Sequence, residues 1–470
     1  MNRDAFDVVV IGGGPGGYAT AFRAVDRGLK VAVVEGDLVG GTCLNRGCIP
    51  SKAALHVAEV LEQLGRGASI GLNVTGASVD GHGLDAFRTS VMDRMRSGLA
   101  GLLESRTTFF AGWGSVVSAD DNGGVVRVAL TDGTTTSIDA RAIVLATGSV
   151  PRTIRGVPQD GRVVLTSDEA VRFTTPPPRA VIVGAGAIGM EFASMWRSMG
   201  SEVTVVEAAP RVLPLEDEDC STAVRRAFRR RGIGVLVGAT VESVQVADSQ
   251  RATVTVSADG ATSTLEAEVV LMAVGRRPRT DELGLEPFGI VDERGHLATN
   301  RHGRTAIASI WGVGDVQPTL ALAHAAFAEG FVVADAIAGR SPEPVDFDQV
   351  PRVTYCHPEV ASVGLTEARA RQQFGDVHAT TYSLKGNAKA VIEGVDGFAK
   401  VVCAGGADGP VLGVHIVGPR ATDLIGEATL ATSWGALPRE LAAIVHAHPT
   451  LYEALGEAFL AAAGTPFHAH

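Results

Sequence analysis

Short apolar runs that end in glycine clusters recur along this chain, and two stretches repeat one pattern. Phe6–Ile11 is apolar apart from Asp7 and runs straight into Gly12, Gly14 and Gly17, spaced GxGxxG. Apolar spacing through Ala19, Phe22, Ala24 and Val25 then predicts a helix, and residues 31–34 predict a second strand that ends at Glu35. The same order returns later. Residues 180–183 lead into Gly184, Gly186 and Gly189, a helical pattern reaches Met199, and a strand at 203–206 ends at Glu207. Continuous apolar runs alternating with amphipathic helices point to parallel strands covered on both faces, hence an α/β fold.

Between these repeats, helical spacing covers 51–64 and 84–103. From Phe109 short strands with turn signals at Asp121-Asn122-Gly123 and Asp132-Gly133 predict a small β-meander. Residues 143–145 form a further strand leading into Ala146-Thr147-Gly148. Pro151, Pro158 and the prolines at 176–178 mark the passage to a new unit. After the second repeat, 234–274 reads as strand-rich and closes at Gly275. A strand at 310–313 then precedes Gly314 and Asp315, followed by a helix with Ala323 and His324. From about residue 350 the segments 355–358, 400–402 and 411–417 are β-branched or turn-rich, and helices close the chain.

Length and charge narrow the function. A chain of 470 residues exceeds a single core and implies roughly three or four domains. Hydrophobic residues at 46% and charged residues at 20% describe an ordinary soluble globular protein. The formal charge of −11 argues against a nucleic-acid partner, which needs a basic face. No apolar stretch reaches the ~20 residues of a membrane span, so no membrane partner is expected. The opening MNRDAFDVVVIGGG enters a strand at once, without a charged and then apolar leader, which predicts a cytoplasmic location.

Each glycine turn, set between a strand and a helix and followed by an acid about 20 residues on, is a dinucleotide fingerprint. Glycines let the backbone approach a pyrophosphate, the helix N-terminus favours its charge, and Glu35 or Glu207 can accept from ribose hydroxyls. Two such matches imply two dinucleotides. A carboxylate at Glu207 pairs with a free 2′-hydroxyl and repels a 2′-phosphate, so the second site should prefer NAD to NADP. Between the first acid and the next helix lies GGTCLNRGCIPSK, from Gly40 to Lys52, with Cys43 and Cys48 five positions apart among five cysteines in all. A disulfide here would close too small a loop to add much stability, so its use is redox. Near the end, His446 and His448 precede Glu453; with no third ligand at hand and Pro449 interrupting helical spacing, no metal site is read there. His448 is the candidate base and Glu453 the carboxylate that would orient it.

The run GGTCLNRGCIPSK resembles that of the disulfide flavoprotein oxidoreductases, with Arg46 at its variable position, and the resemblance covers nearly the whole chain. It implies two Rossmann-like dinucleotide-binding domains plus a C-terminal α+β dimerisation domain. Residues 1–150 and 277–348 would bind FAD, 151–276 NAD, and 349–470 would form the interface. The nearest branch of the family oxidises protein-bound dihydrolipoyl groups to lipoyl groups with NAD+. Carried over, Cys43 would exchange with substrate and Cys48 would lie against the flavin, with Lys52 and Glu191 an ion pair near its reactive nitrogen. Gly41, Thr42, Thr147, Gly148, Gly314, Asp315, Ala323 and His324 would join Gly12, Gly14, Gly17, Glu35 and Lys52 around FAD. Gly275 would join Gly184, Gly186, Gly189 and Glu207 around NAD. His448 of one subunit would face the disulfide of another in a homodimer. Partners would be lipoyl-bearing carriers of 2-oxo acid dehydrogenase or glycine cleavage complexes.

Two rival readings stand beside this one, a reductase of another low-molecular-weight disulfide and a flavin-loaded scaffold subunit. Glu207 disfavours glutathione as substrate, and the tail AAAGTPFHAH lacks the extra redox residues of mercuric or large thioredoxin reductases. A scaffold would need none of Cys43, Cys48, His448 and Glu453. Arg211 lies near Glu207 in an RVLP segment that NAD-using relatives share, so it is not read as a 2′-phosphate ligand. Three positions depart from the family pattern. Ala187 stands where many relatives carry an aromatic residue that covers the flavin, Tyr452 where a small polar residue is more common, and Arg46 adds charge between the cysteines.

Overall fold

The computed structural model describes residues 5–248 and 250–468. The first four residues and the last two, on which the readings of the opening and the tail partly rest, lie outside the described residues. The chain divides into two compact units. Unit 1 takes the chain up to Ala54, Gly81–Arg152 and Gly275–Phe347; unit 2 takes Leu55–Asp80, Thr153–Val274 and the chain from Asp348 on.

Unit 1 is built on parallel strands. Val31–Glu35 pairs with Phe6–Ile11, which pairs with Thr135–Leu145, which in turn pairs with Ile310–Gly312; on the other side Thr108–Asp120 joins Val31–Glu35. The meander is present, with one difference from the sequence reading. Its third strand and the strand at 143–145 are one element, Thr135–Leu145, because the outer half alternates exposed and buried residues while the inner half is buried throughout. Two periodicities within one strand read as two strands. The helix Pro15–Asp26 follows the first glycine turn with proline in its first turn, where the missing N–H costs nothing. It packs on Ala323–Ile337, and Asp335 of that helix accepts from both Arg23 and Arg27, which hold its carboxyl well below the usual range. The apolar faces of these strands and helices form the two cores of the unit.

Unit 2 holds three sheets. The parallel one orders Gly234–Val237, Glu202–Glu207, Arg179–Val183, Val269–Met272 and Val164–Thr166; Ala239–Asp248, Arg251–Ala258 and Ala261–Ala267 form an antiparallel one. The C-terminal sheet is antiparallel, in the order Arg352–Thr354, Glu359–Gly364, Val411–Gly418, Phe398–Ala404, Val377–Ser383, with Ala421–Ser433 and Glu453–Ala462 packed on it. Lys400, only 4% exposed, ties this sheet to the start of Glu218–Arg230, its Nζ lying 2.9 Å from Asp217, 2.6 Å from Asp219 and 2.7 Å from Glu367. Removing one partner of such a buried cluster costs about 3–5 kcal/mol, because the remaining charges stay buried and unmatched.

Candidate active site

In unit 1 the glycine turn is shaped by collisions that only glycine avoids. Gly12 has φ +111°, and a Cβ there would lie 2.3 Å from the Ala146 carbonyl oxygen. At Gly17 it would lie 1.9 Å from the Gly12 carbonyl oxygen. Gly14 precedes the helix Pro15–Asp26, whose N-terminus has no side-chain cap, leaving amide donors for an anion. Glu35 closes the turn, its Oε2 accepting from Gly13 N at 2.7 Å and its Oε1 from Asp37 N at 2.8 Å.

The cysteine segment is laid directly on this turn. Gly40 N donates to Gly13 O at 2.8 Å, and a Cβ at Gly41 would come within 2.9 Å of Gly14 Cα. Cys43 sits in the short helix Gly41–Asn45, of which Thr42 is the second residue, and Cys48 begins Cys48–Gly65. Asn45 Nδ2 ties the loop by donating to Val39 O and Gly41 O at 3.0 and 2.9 Å, and Arg96 donates to its Oδ1 at 3.1 Å. Cys43 hydrogen-bonds Cys48, and that bond together with burial pushes its thiol up, while Lys52 pulls it down. Tyr18, half-buried and beside both cysteines, is pushed up to about 12 by burial and by the two thiols. Arg46 pairs with Asp37, so its charge is matched locally. Cys220, Cys356 and Cys403 are buried, whereas Cys43 and Cys48 are only partly so, which leaves these two as the accessible pair.

Asp315 lies in a turn after Ile310–Gly312, and its Oδ2 accepts from Ser149 Oγ at 2.5 Å. Arg276 donates to the same Ser149 Oγ at 2.7 Å. Gly314 N and Gln317 Nε2 both donate to Glu329 Oε2, at 2.5 and 3.0 Å, and burial raises that carboxyl. Ser149, Arg276 and Glu329 escaped the sequence reading. The one available signal was Glu329, the lone acid in the otherwise apolar stretch 325–333. Thr147 Oγ1 donates to Arg279 O, Gly148 O accepts from Arg279 N, and Ala323 and His324 open the helix Ala323–Ile337.

Unit 2 repeats the turn. Gly184 has φ +106°, and a Cβ there would lie 2.3 Å from the Ala273 carbonyl oxygen; at Gly189 it would lie 2.0 Å from the Gly184 carbonyl oxygen. Glu207 accepts from Ala185 N at 2.6 Å and Ala209 N at 2.7 Å. Arg211 donates to Pro214 O at 2.9 Å, so its guanidinium is turned onto its own loop. At Gly186 a Cβ would meet nothing within 4 Å, and Ala187 beside it is exposed. Both turns thus have the close-approach glycines and acids that a dinucleotide requires. Gly275 falls in unit 1, where its carbonyl accepts from Arg152 N. Glu191 Oε1 accepts from Tyr355 N at 3.0 Å.

The histidine pair is also in unit 2. His448 Nδ1 lies 2.8 Å from Glu453 Oε1, and Glu453 Oε2 accepts from Thr450 N at 2.8 Å. Against the upward push of burial, Thr450 N–H and His448 hold the Glu453 carboxyl below its usual value. His448 is 73% exposed, an imidazole presented to the outside with its other face held. His446 is nearly buried against Glu427, 3.0 Å away. Tyr452 is 40% exposed. Among the described residues no group of three or more His, Cys, Asp or Glu is arranged to hold a metal ion.

A family model described as pyridine nucleotide-disulphide oxidoreductase matches residues 6–330, and the dimerisation domain of the same family matches 350–459. This chain belongs to the pyridine nucleotide-disulphide oxidoreductases. It is similar to a dihydrolipoyl dehydrogenase of Bacillus subtilis, 38% identical over 98% of this chain and 99% of that one. It is likewise similar to one of Chlorobaculum tepidum, 40% identical over 96% of each, and to mitochondrial dihydrolipoyl dehydrogenase 1 of Arabidopsis thaliana, 36% identical over 99% of this chain and 92% of that one. The crystal structure of LpdA from Mycobacterium tuberculosis matches with a TM-score of 0.89 at 27% identity, over 96% of this chain and 98% of that one. As a pyridine nucleotide-disulphide oxidoreductase, the chain has the family's mixed α/β architecture and an adjacent cysteine pair.

Proposed function

We propose that this chain is a homodimeric, FAD-containing enzyme that oxidises protein-bound dihydrolipoyl groups to lipoyl groups with NAD+. The observation that carries this reading is the contact of the cysteine segment with the first glycine turn, through Gly40 and Gly41. A redox pair held against a dinucleotide turn passes electrons to whatever that turn binds. Relatives named dihydrolipoyl dehydrogenase along the full length support the substrate class.

The domain assignment follows. Residues 1–150 and 277–348 bind FAD at Gly12, Gly14, Gly17, Glu35, Gly41, Thr42, Lys52, Thr147, Gly148, Gly314, Asp315, Ala323 and His324. Residues 151–276 bind NAD at Gly184, Gly186, Gly189 and Glu207, with Gly275 at the domain's edge. Residues 349–470 form the interface. Exposed apolar residues there support a second copy as cover, Leu430, Trp434, Ile444 and Val445 being 49%, 78%, 49% and 93% exposed.

In the dithiol half-reaction a substrate thiolate attacks Cys43 Sγ of the disulfide, and Cys48 leaves as a thiolate. The second substrate thiol then closes on the first sulfur and releases Cys43, so the substrate loses two electrons and the pair gains them. His448, oriented by Glu453, takes the substrate proton; it serves the partner subunit's pair. Lys52 favours the thiolate forms. FAD held at the first turn would supply a two-electron acceptor between the reduced pair and NAD+. Among the described residues no helix is long and apolar enough to cross a membrane. The partners proposed are lipoyl-bearing carriers of 2-oxo acid dehydrogenase or glycine cleavage complexes, met in the cytoplasm.

The test is turnover of dihydrolipoamide with NAD+ by the native chain and by Cys43→Ser. Native turnover that the substitution removes, with NADH oxidation by a dye retained, supports the reading. A Cys43→Ser chain that still oxidises the dithiol at the native rate would overturn it.

A further inference from the structure

Between Cys43 and Cys48 the chain is held from outside by a side chain that no motif announces. Asn45, two residues after the first cysteine, turns its Nδ2 to three carbonyls of its own loop: Gly41 O at 2.9 Å, Val39 O at 3.0 Å and Leu38 O at 3.4 Å. Its Oδ1 accepts from Arg96 Nη1 at 3.1 Å. Arg96 stands on the helix Gly81–Arg106, 51 residues further along the chain, and its other arm pairs with Asp93 one turn earlier on the same helix.

The chemistry of these groups leaves one arrangement. A guanidinium has donors and no acceptor, so the amide atom before Arg96 must be oxygen; carbonyls accept and do not donate, so the atom before Gly41 and Val39 must be nitrogen. Each end of the amide thereby fixes the other. Without Arg96 the Oδ1 end loses this donor, and the amide can turn away from the loop. That amide gathers Val39 and Gly41 around the short helix Gly41–Asn45, which carries Cys43. As thiols, Cys43 and Cys48 are already hydrogen-bonded to each other, so the held loop is poised for closure. A disulfide restricts its two Cα atoms to about 4.4–6.8 Å, whereas a dithiol tolerates a wider loop.

We propose that Arg96 is a positioning residue for the redox pair, holding Asn45 so that Cys43 and Cys48 stay adjacent and the disulfide is favoured over the dithiol. Reduction takes two electrons and two protons from a dithiol that itself closes to a disulfide, and it releases the loop; the clamp opposes that release. This rests on the redox role proposed for Cys43 and Cys48.

The experiment uses the full-length, flavin-replete chain, equilibrated anaerobically in mixtures of reduced and oxidised dithiothreitol, with Cys43 and Cys48 scored by alkylation and mass spectrometry. Arg96→Met keeps the apolar stem and removes the donor. It should shift the equilibrium toward the dithiol by about 3-fold to 10-fold, the worth of one hydrogen bond, which is about 15–30 mV for a two-electron couple. Arg96→Lys, which restores a donor, should recover most of that shift. In an Asn45→Ala background, Arg96→Met should add nothing, because the two residues act through one bond. If Asn45→Ala fails to fold, the contrast of Arg96→Met with Arg96→Lys decides, and equal shifts in both overturn the proposal. An Arg96→Met pair reduced at the native buffer ratio, or a shift of full size in the Asn45→Ala background, overturns it alone. A native pair that closes to a disulfide in none of the mixtures overturns it together with the redox reading.

Discussion

At Gly12 and at Gly184 an added Cβ would lie 2.3 Å from a backbone carbonyl oxygen, and at Gly17 and Gly189 about as close to the turn's own first carbonyl. Glu35 and Glu207 grip their turns alike, each accepting from one amide within the turn and one just beyond itself. The two turns part at the middle glycine. Gly14 has the cysteine segment over it, with Gly41 Cα 3.7 Å from where its Cβ would be, whereas Gly186 has nothing within 4 Å. Shared construction sets the class of ligand, and what covers the turn sets how the ligand is used. On the proposed function, the nucleotide under the redox pair is the resident group and the one at the uncovered turn exchanges at each cycle.

The largest effect should come from removing the shared construction on one side at a time. Gly12→Ala and Gly184→Ala each combine a left-handed φ with a backbone collision and should cost at least ~3 kcal/mol locally. Gly12→Ala should purify without flavin; Gly184→Ala should keep it and lose NAD+ reduction. Loss of flavin from both, measured on protein that melts as the native chain does, would break the division between the turns.

Next in size is His448→Gln, which separates the half-reactions that the two turns serve. It should slow oxidation of dihydrolipoamide by about 100-fold to 10,000-fold, the range of a positioned base, and leave NADH oxidation by a dye near native. Equal loss in both assays would contradict a role confined to the dithiol half. Smaller again is Glu207→Gln, which should narrow the preference for NAD+ over NADP+ by about tenfold in kcat/KM, worth about 1.4 kcal/mol. No change in that ratio would detach Glu207 from ribose recognition. Gly186→Ala should be mildest for the fold, since its Cβ meets nothing; a melting temperature within a few degrees of native, with raised KM for NAD+, would sharpen the contrast with Gly12.

What could be read from the sequence was what depends on neighbours in the chain. Both turns, their acids, the cysteine pair and the pairing of His448 with Glu453 all lie within about 25 residues of their partners. Glu207 and Arg211 belong to one strand end and its loop, where Glu207 accepts from Ala185 N and Arg211 donates to Pro214 O. The support of Asp315 was hidden, because Ser149 is 166 residues away and Arg276 lies in another connection altogether. Arg96 was hidden for the same reason: it reaches Asn45 from 51 residues away. Helix starts were also blurred. Spacing placed the helix after the cysteines at 51–64, but it begins at Cys48, since a cysteine carries little periodic signal of its own.

The central claim is that the Cys43–Cys48 pair carries electrons from a dithiol to NAD+ by way of the covered turn. It is tested most directly by anaerobic titration of the purified, flavin-replete chain with dihydrolipoamide, followed by NAD+, while thiols are mapped by alkylation and mass spectrometry. The account predicts that Cys43 and Cys48 become alkylatable with the first addition, and that NADH appears and both become protected again with the second. Cysteines whose alkylation ignores dihydrolipoamide, or NADH formed at the native rate by a Cys43→Ser, Cys48→Ser chain, would contradict it.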